Sequence, residues 1–141
     1  MDTVNVKWNG KRRFVGWDKA GHGVVMDATA QYGGDGSGVR PVELVLYALA
    51  GCTAMDVISI LEKKRQRVTD FALNITGTQR EDFPKIYTHI AVEYVVTGVG
   101  VESAAVERAI ELSEDKYCSV KGMFGPDVKI ETSYRIVEAE L

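Results

Sequence analysis

The chain is expected to fold as α+β, in the order βββ-α-ββ-α-β, and three observations lead there. Segments with period-two alternation come in groups instead of alternating singly with helices, which argues against a doubly wound parallel sheet. Two helical segments divide those groups, and the first is apolar on nearly every side. The composition, 141 residues with 45% hydrophobic and 26% charged, allows one core of ordinary size, so a single domain over 1–141 is expected.

Residues 4 to 8, VNVKW, alternate apolar and polar, and RRFVGW and GVVMDA do so more loosely. Asn9-Gly10 and the KAGHG stretch supply turns, so these three form a meander of short strands. YGGDGSGVRP is too rich in glycine for a regular element and reads as a flexible loop; no GK[ST] follows it, so a phosphate loop is not indicated. Pro41 suits a first helical turn, and a helix should run from there to about Gln66, where EKKRQR complements the C-terminal dipole. FALNITGTQR and IYTHIAVEYVV read as the next two strands, with Ile86, Ile90, Val92, Tyr94 and Val96 inward and EDFPK connecting them. His89 falls on the polar face of its strand and His22 in a turn. The second helix should span Glu102 to Tyr117, with an apolar stripe of Ala105, Val106, Ala109, Ile110 and Leu112. VKIETSYRI closes the chain as a strand.

A formal charge of -3 with scattered basic residues gives no field for a phosphate backbone, so nucleic acid is not an expected partner. MDTVNVKWNG lacks the pattern of a signal peptide, and the expected location is cytoplasmic. VELVLYALAGCTAMDVISIL approaches the length of a bilayer span, but Glu43 and Asp56 would each cost about 2.5 kcal/mol or more in lipid. A helix this apolar in so small a chain needs a cover, and a second copy supplies it: a homodimer is expected. Two histidines without short-spaced partners make no zinc site, so a metal is not expected.

One of the two cysteines, Cys52, lies in that helix, on a face with Ala48, Leu49, Met55, Asp56 and Ser59. A lone cysteine in an apolar helix is ordinarily packing. Burial and the carboxylate of Asp56 both disfavour thiolate there, so reactivity requires a cation. The candidates are Arg12, Arg13 and Arg40, of which Arg40, beside the helix start, is preferred. A buried Asp56 must itself be paired, either as structural glue or to position an arginine. The second cysteine, Cys118, ends the second helix; a peroxide-reacting thiolate becomes sulfenic acid and needs such a resolving thiol.

RPVELVLYALAGCTAMDVISIL followed by LSEDKYCSV resembles the OsmC/Ohr family of osmotically inducible and organic hydroperoxide resistance proteins, and the likeness covers nearly the whole chain. The resemblance implies an intertwined homodimer, two central helices wrapped by antiparallel sheets, and active sites at the subunit interface. It further implies thiol-dependent reduction of organic hydroperoxides without a cofactor. Cys52 matches the peroxidatic cysteine, Cys118 the resolving one, and Glu43 the second of the paired glutamates of some members. On a straight helix Glu43 lies roughly 180° around from Cys52 and about 13 Å along the axis, so any role for it works through Arg40 or across the dimer. The partners implied are a small hydroperoxide and an external dithiol. The competing reading is a non-catalytic dimeric module that holds a small apolar ligand at the interface.

Overall fold

The computed structural model describes residues 1–140. Its elements follow the expected order: β1 (Val4–Trp8), β2 (Phe14–Asp18), β3 (Gly23–Met26), α1 (Pro41–Lys63), β4 (Arg67–Gln79), β5 (Tyr87–Val99), α2 (Ser103–Leu112) and β6 (Lys129–Glu138). The chain divides into two compact units, Met1–Val45 and a second beginning at Leu46.

In the first unit β1, β2 and β3 form an antiparallel meander. Gly10 and Lys11 take positive φ in the Asn9-Gly10 turn, and the Asp18 carboxylate accepts the Ala20 and His22 amides in the other. The sheet is thin, leaving Val4, Val6 and Trp8 of β1 exposed. The glycine-rich loop departs from the flexible connection expected of it. The Asp27 carboxylate, buried in it, accepts from the amides of Ala28, Asp35 and Ser37 and from the Ser37 hydroxyl at 2.6 Å. A Cβ at Gly34 would meet the Ala28 carbonyl oxygen at 2.0 Å, so glycine there permits close approach instead of supplying freedom.

In the second unit β5 is the central strand of the order β4-β5-β6. β4 and β5 are antiparallel, but β6 runs parallel to β5, a departure from antiparallel sheets throughout. The cause is α2: a strand, a helical crossover and a return to the same sheet bring the last strand in parallel. The inward face of β5, with Ile90, Val92, Tyr94 and Val96, is buried together with Leu49, Val57 and Leu61 of α1 and Ala105, Val106, Ala109 and Ile110 of α2. Thr88 is skipped in the pairing of β4 with β5, and this bulge turns Tyr87 inward where strict alternation would have chosen Ile86 and Thr88. His89 lies on the outer face, 2.8 Å from Glu131.

α1 stops at Lys63, short of Gln66. Arg65 takes φ 58, the Arg65 amide bonds to the Glu62 carbonyl and the Gln66 amide reaches back to Leu61, a Schellman cap that frees Arg67 to begin β4. By length and composition α1 is apolar enough to cross a bilayer, yet Leu49, Thr53, Val57 and Leu61 pack into a protein core. Only 22% of its most apolar stretch is buried within the chain, and Tyr47 and Met55 stand 61% and 73% exposed.

Candidate active site

Cys52 and Cys118 are brought together although 66 places separate them in sequence. Their sulfurs and a carboxylate oxygen of Asp56 all lie within 4.8 Å of one another, and both thiols are free. Cys52 and Asp56 are four places apart, hence stacked on one face of α1. Cys118 arrives by a different device. α2 gives way at Leu112 to a π-helical turn, Ser113–Tyr117, in which the Cys118 amide bonds to the Ser113 carbonyl five residues back at 2.8 Å. Such wide turns recur at functional sites, because the extra residue re-aims the side chains beyond it. Here both Ser113 and Cys118 end buried.

Burial is the main force that pushes the Cys118 thiol up. The Lys121 amide, donating to its sulfur at 3.4 Å, opposes that, while the neighbouring Cys52 and Asp56 add to it. A buried chain of hydroxyls runs alongside. Ser113 Oγ donates to Asp56 Oδ2 at 2.9 Å, so its one proton is committed and it accepts from Thr53 Oγ1 at 2.8 Å. Thr53 Oγ1 in turn accepts from the Tyr94 hydroxyl at 2.7 Å. Burial pushes the Tyr94 phenol up to about 12. Among the described residues no buried side-chain polar atom is left without a partner.

The first unit holds the other two residues singled out from the sequence. Arg40 Nε pairs with Glu43 Oε1 at 3.0 Å. Arg13 reaches toward Asp35 at 3.7 Å. Asp56 is hydrogen-bonded glue through Ser113. Leu49 lines a small apolar cleft beside Cys118 with Val92 and Ile130, whereas Met55 lines an open groove with Asp56 and Tyr117.

Thr53, Tyr94 and Ser113 had no place in the site expected from sequence. Each left a trace: a polar group on a face otherwise committed to the core, Ser113 continuing the Ala105–Ala109 row of α2 and Tyr94 the inward row of β5.

An α+β chain with this element order and these meeting cysteines belongs to the OsmC-like family, and the family model described as OsmC-like protein matches residues 34–133. Protein YhfA of Escherichia coli K12 is 43% identical over 136 residues, covering 96% of this chain and 98% of that protein. A hypothetical protein from Aquifex aeolicus VF5 is 33% identical with a TM-score of 0.87, over 99% of this chain and 98% of the other. An organic hydroperoxide resistance protein OsmC from Legionella pneumophila shares the fold at 12% identity, with a TM-score of 0.72 over 95% of this chain and 96% of that one.

Proposed function

We propose that the protein is a thiol-dependent peroxidase that reduces organic hydroperoxides to alcohols, acting as a cytoplasmic homodimer without a cofactor. The observation that carries the reading is the approach of the two free sulfurs, Cys52 and Cys118, to within 4.8 Å. Family membership supports it, as does the name of the Legionella relative.

Cys52, as thiolate, attacks the terminal oxygen of ROOH; the O–O bond breaks, the terminal OH stays on sulfur as sulfenic acid, and the alkoxide takes a proton from solvent and leaves as ROH. The Cys118 thiol then attacks that sulfur. The S–S bond forms as the S–O bond breaks, and the thiol proton leaves with the hydroxyl as water. An external dithiol reduces the disulfide by two exchanges and is itself oxidised. Arg40 is the guanidinium assigned to hold the Cys52 thiolate, with Glu43 orienting it through their 3.0 Å ion pair. Leu49 and Met55, apolar neighbours of Cys52 on α1, favour an alkyl or lipid peroxide over hydrogen peroxide, which gains nothing from carbon surface. The homodimer answers the exposure of Tyr47 and Met55 on α1 and of Val4, Val6 and Trp8 on β1, surface that a second copy would cover.

Turnover of cumene hydroperoxide with a dithiol tests the reading. Wild type should saturate, Cys52→Ser should be inactive, and Cys118→Ser should make one turnover and then accumulate overoxidised Cys52. Absent turnover, with Cys52 inert to alkylation across neutral pH, would overturn it in favour of a non-catalytic dimeric module that holds a small apolar ligand at the subunit interface.

A further inference from the structure

We propose that the reduced protein is also a binding site for a thiophilic divalent metal, zinc above all, held by Cys52 Sγ, Cys118 Sγ and an Asp56 carboxylate oxygen. These three donor atoms lie within 4.8 Å of one another. Residues four apart on a helix chelate one ion from one face, as Cys52 and Asp56 are disposed to do, and Cys118 closes the site from the π turn. Zinc with Zn–S near 2.3 Å and Zn–O near 2.0 Å sets its tetrahedral ligands about 3.5–3.8 Å apart, so binding draws no pair of these atoms in by more than about 1 Å. Cys52 and Asp56 are only half-buried.

Two further contacts prepare the donors. The Ser113 hydroxyl at 2.9 Å fixes the Asp56 carboxylate, and the Lys121 amide at 3.4 Å points at the Cys118 sulfur; hydrogen bonds of this kind orient metal ligands and are part of their affinity. Sulfur donors select zinc, cadmium or cobalt over magnesium and calcium, which require oxygen cages. In the bound state two thiolates and a carboxylate would set three negative charges against the dication, which is what lets the two thiols give up their protons. Binding exchanges two thiol protons for one metal ion and involves no redox change. Three protein donors leave a fourth position for water.

The site uses the sulfurs assigned to peroxide reduction, yet it does not depend on that reading. A metal-bound dithiol is masked from peroxide, and a disulfide has no thiolate to offer, so metal loading and oxidation exclude each other.

The experiment is calorimetric titration of the reduced full chain with Zn2+ in a phosphine reductant, in two buffers of different ionisation heat. One ion per chain should bind, releasing close to two protons. Co2+ should develop a thiolate-to-cobalt charge-transfer band that Cys52→Ser and Cys118→Ser abolish. Asp56→Asn should weaken binding about 10–100-fold, and the disulfide form should bind more weakly still. Circular dichroism checks that each variant is folded. No saturable binding below about 100 µM metal, or binding that survives loss of both cysteines, overturns the proposal. Undiminished affinity in Asp56→Asn overturns the three-donor site. Either failure leaves peroxide turnover untouched, and loss of turnover in a metal-binding protein would count only against the peroxidase.

Discussion

The hydroxyl of Ser113 donates to the carboxylate of Asp56 across 2.9 Å, joining the first residue of a π turn to the middle of α1. That one bond sits between two kinds of order. On one side it ends a buried row of hydroxyls reaching to Tyr94 through Thr53. On the other it holds the carboxylate that borders both cysteine sulfurs.

Ser113→Ala should therefore cost more than a methyl-for-hydroxyl swap suggests. It strips Thr53 of an acceptor and Asp56 of a donor in a region where water does not compete, and about 1–3 kcal/mol should be lost in denaturant unfolding. Ser119→Ala, on the exposed side of the same segment, should stay within about 0.5 kcal/mol. Equal effects at the two positions would deny the row any structural role.

The far end of the row should show in alkali. Burial raises Tyr94 to about 12 in the folded chain against an ordinary 10, so the fold holds that proton more tightly than the unfolded chain does. Its contribution is complete below about pH 10 and is lost as the pH rises toward 12, on the order of 2–3 kcal/mol in all. Tyr94→Phe should flatten stability over that window. The Glu107 carboxylate also raises Tyr134, so the comparison belongs in a Tyr134→Phe background. A parallel slope with and without Tyr94 would count against the buried phenol.

Much of this architecture was legible because burial leaves a period in the sequence. Val92, Tyr94 and Val96 alternate with half-buried partners as an inward strand face must, and Ala105, Val106, Ala109 and Ile110 trace the covered stripe of α2. The parallel pairing of β6 was not legible, since alternation reports which face a strand buries and not the direction in which it enters. Nor was the π turn: its extra residue is a matter of how Ser113 and Cys118 satisfy the core, and SEDKY carries no periodicity of its own. Cys52 and Cys118 could be marked as reactive types, but their approach is a tertiary fact. The order in the GGDGSG loop escaped for a related reason, because Asp27, which organises it, precedes the glycines and alternates like a strand residue.

That aspartate predicts an acid-sensitive loop. The Ser37 hydroxyl and then the Ser37 amide lower Asp27 most, burial opposes them, and the Ala28 and Asp35 amides add to the lowering, bringing it to about 2. A lowered carboxyl stabilises the fold fully above its ordinary value near 3.8, and that contribution disappears as pH falls through about 2. Asp27→Asn should expose 33–38 to proteolysis at neutral pH, where wild type resists until acid is added. Resistance in the variant equal to that of wild type would mean the loop is held by something other than this carboxylate.

The uncovered surface of α1 predicts the effect of a charge. Met55 is 73% exposed in the single chain, in the middle of an apolar helix, and Met55→Lys should raise the dimer dissociation constant about 30-fold or more by sedimentation. Thr76→Lys, on the exposed face of β4, should leave assembly unchanged. A wild-type chain that sediments as a monomer at all concentrations would remove the dimer from the proposed function.

The choice of arginine can be decided by turnover. A guanidinium beside a thiolate stabilises the reacting sulfur by a charge-assisted hydrogen bond, so its loss should lower kcat/KM by about 10–100-fold, the worth of one such bond. Arg40→Ala should do this, Arg40→Lys should recover part of it because an ammonium keeps the charge without the paired geometry, and Glu43→Gln should have the smaller effect of loosening the 3.0 Å ion pair. If Arg40→Ala turns over like wild type while Arg12→Ala or Arg13→Ala loses kcat/KM, the role passes to that residue. If none of the three lowers it, no arginine among them serves the sulfur at position 52.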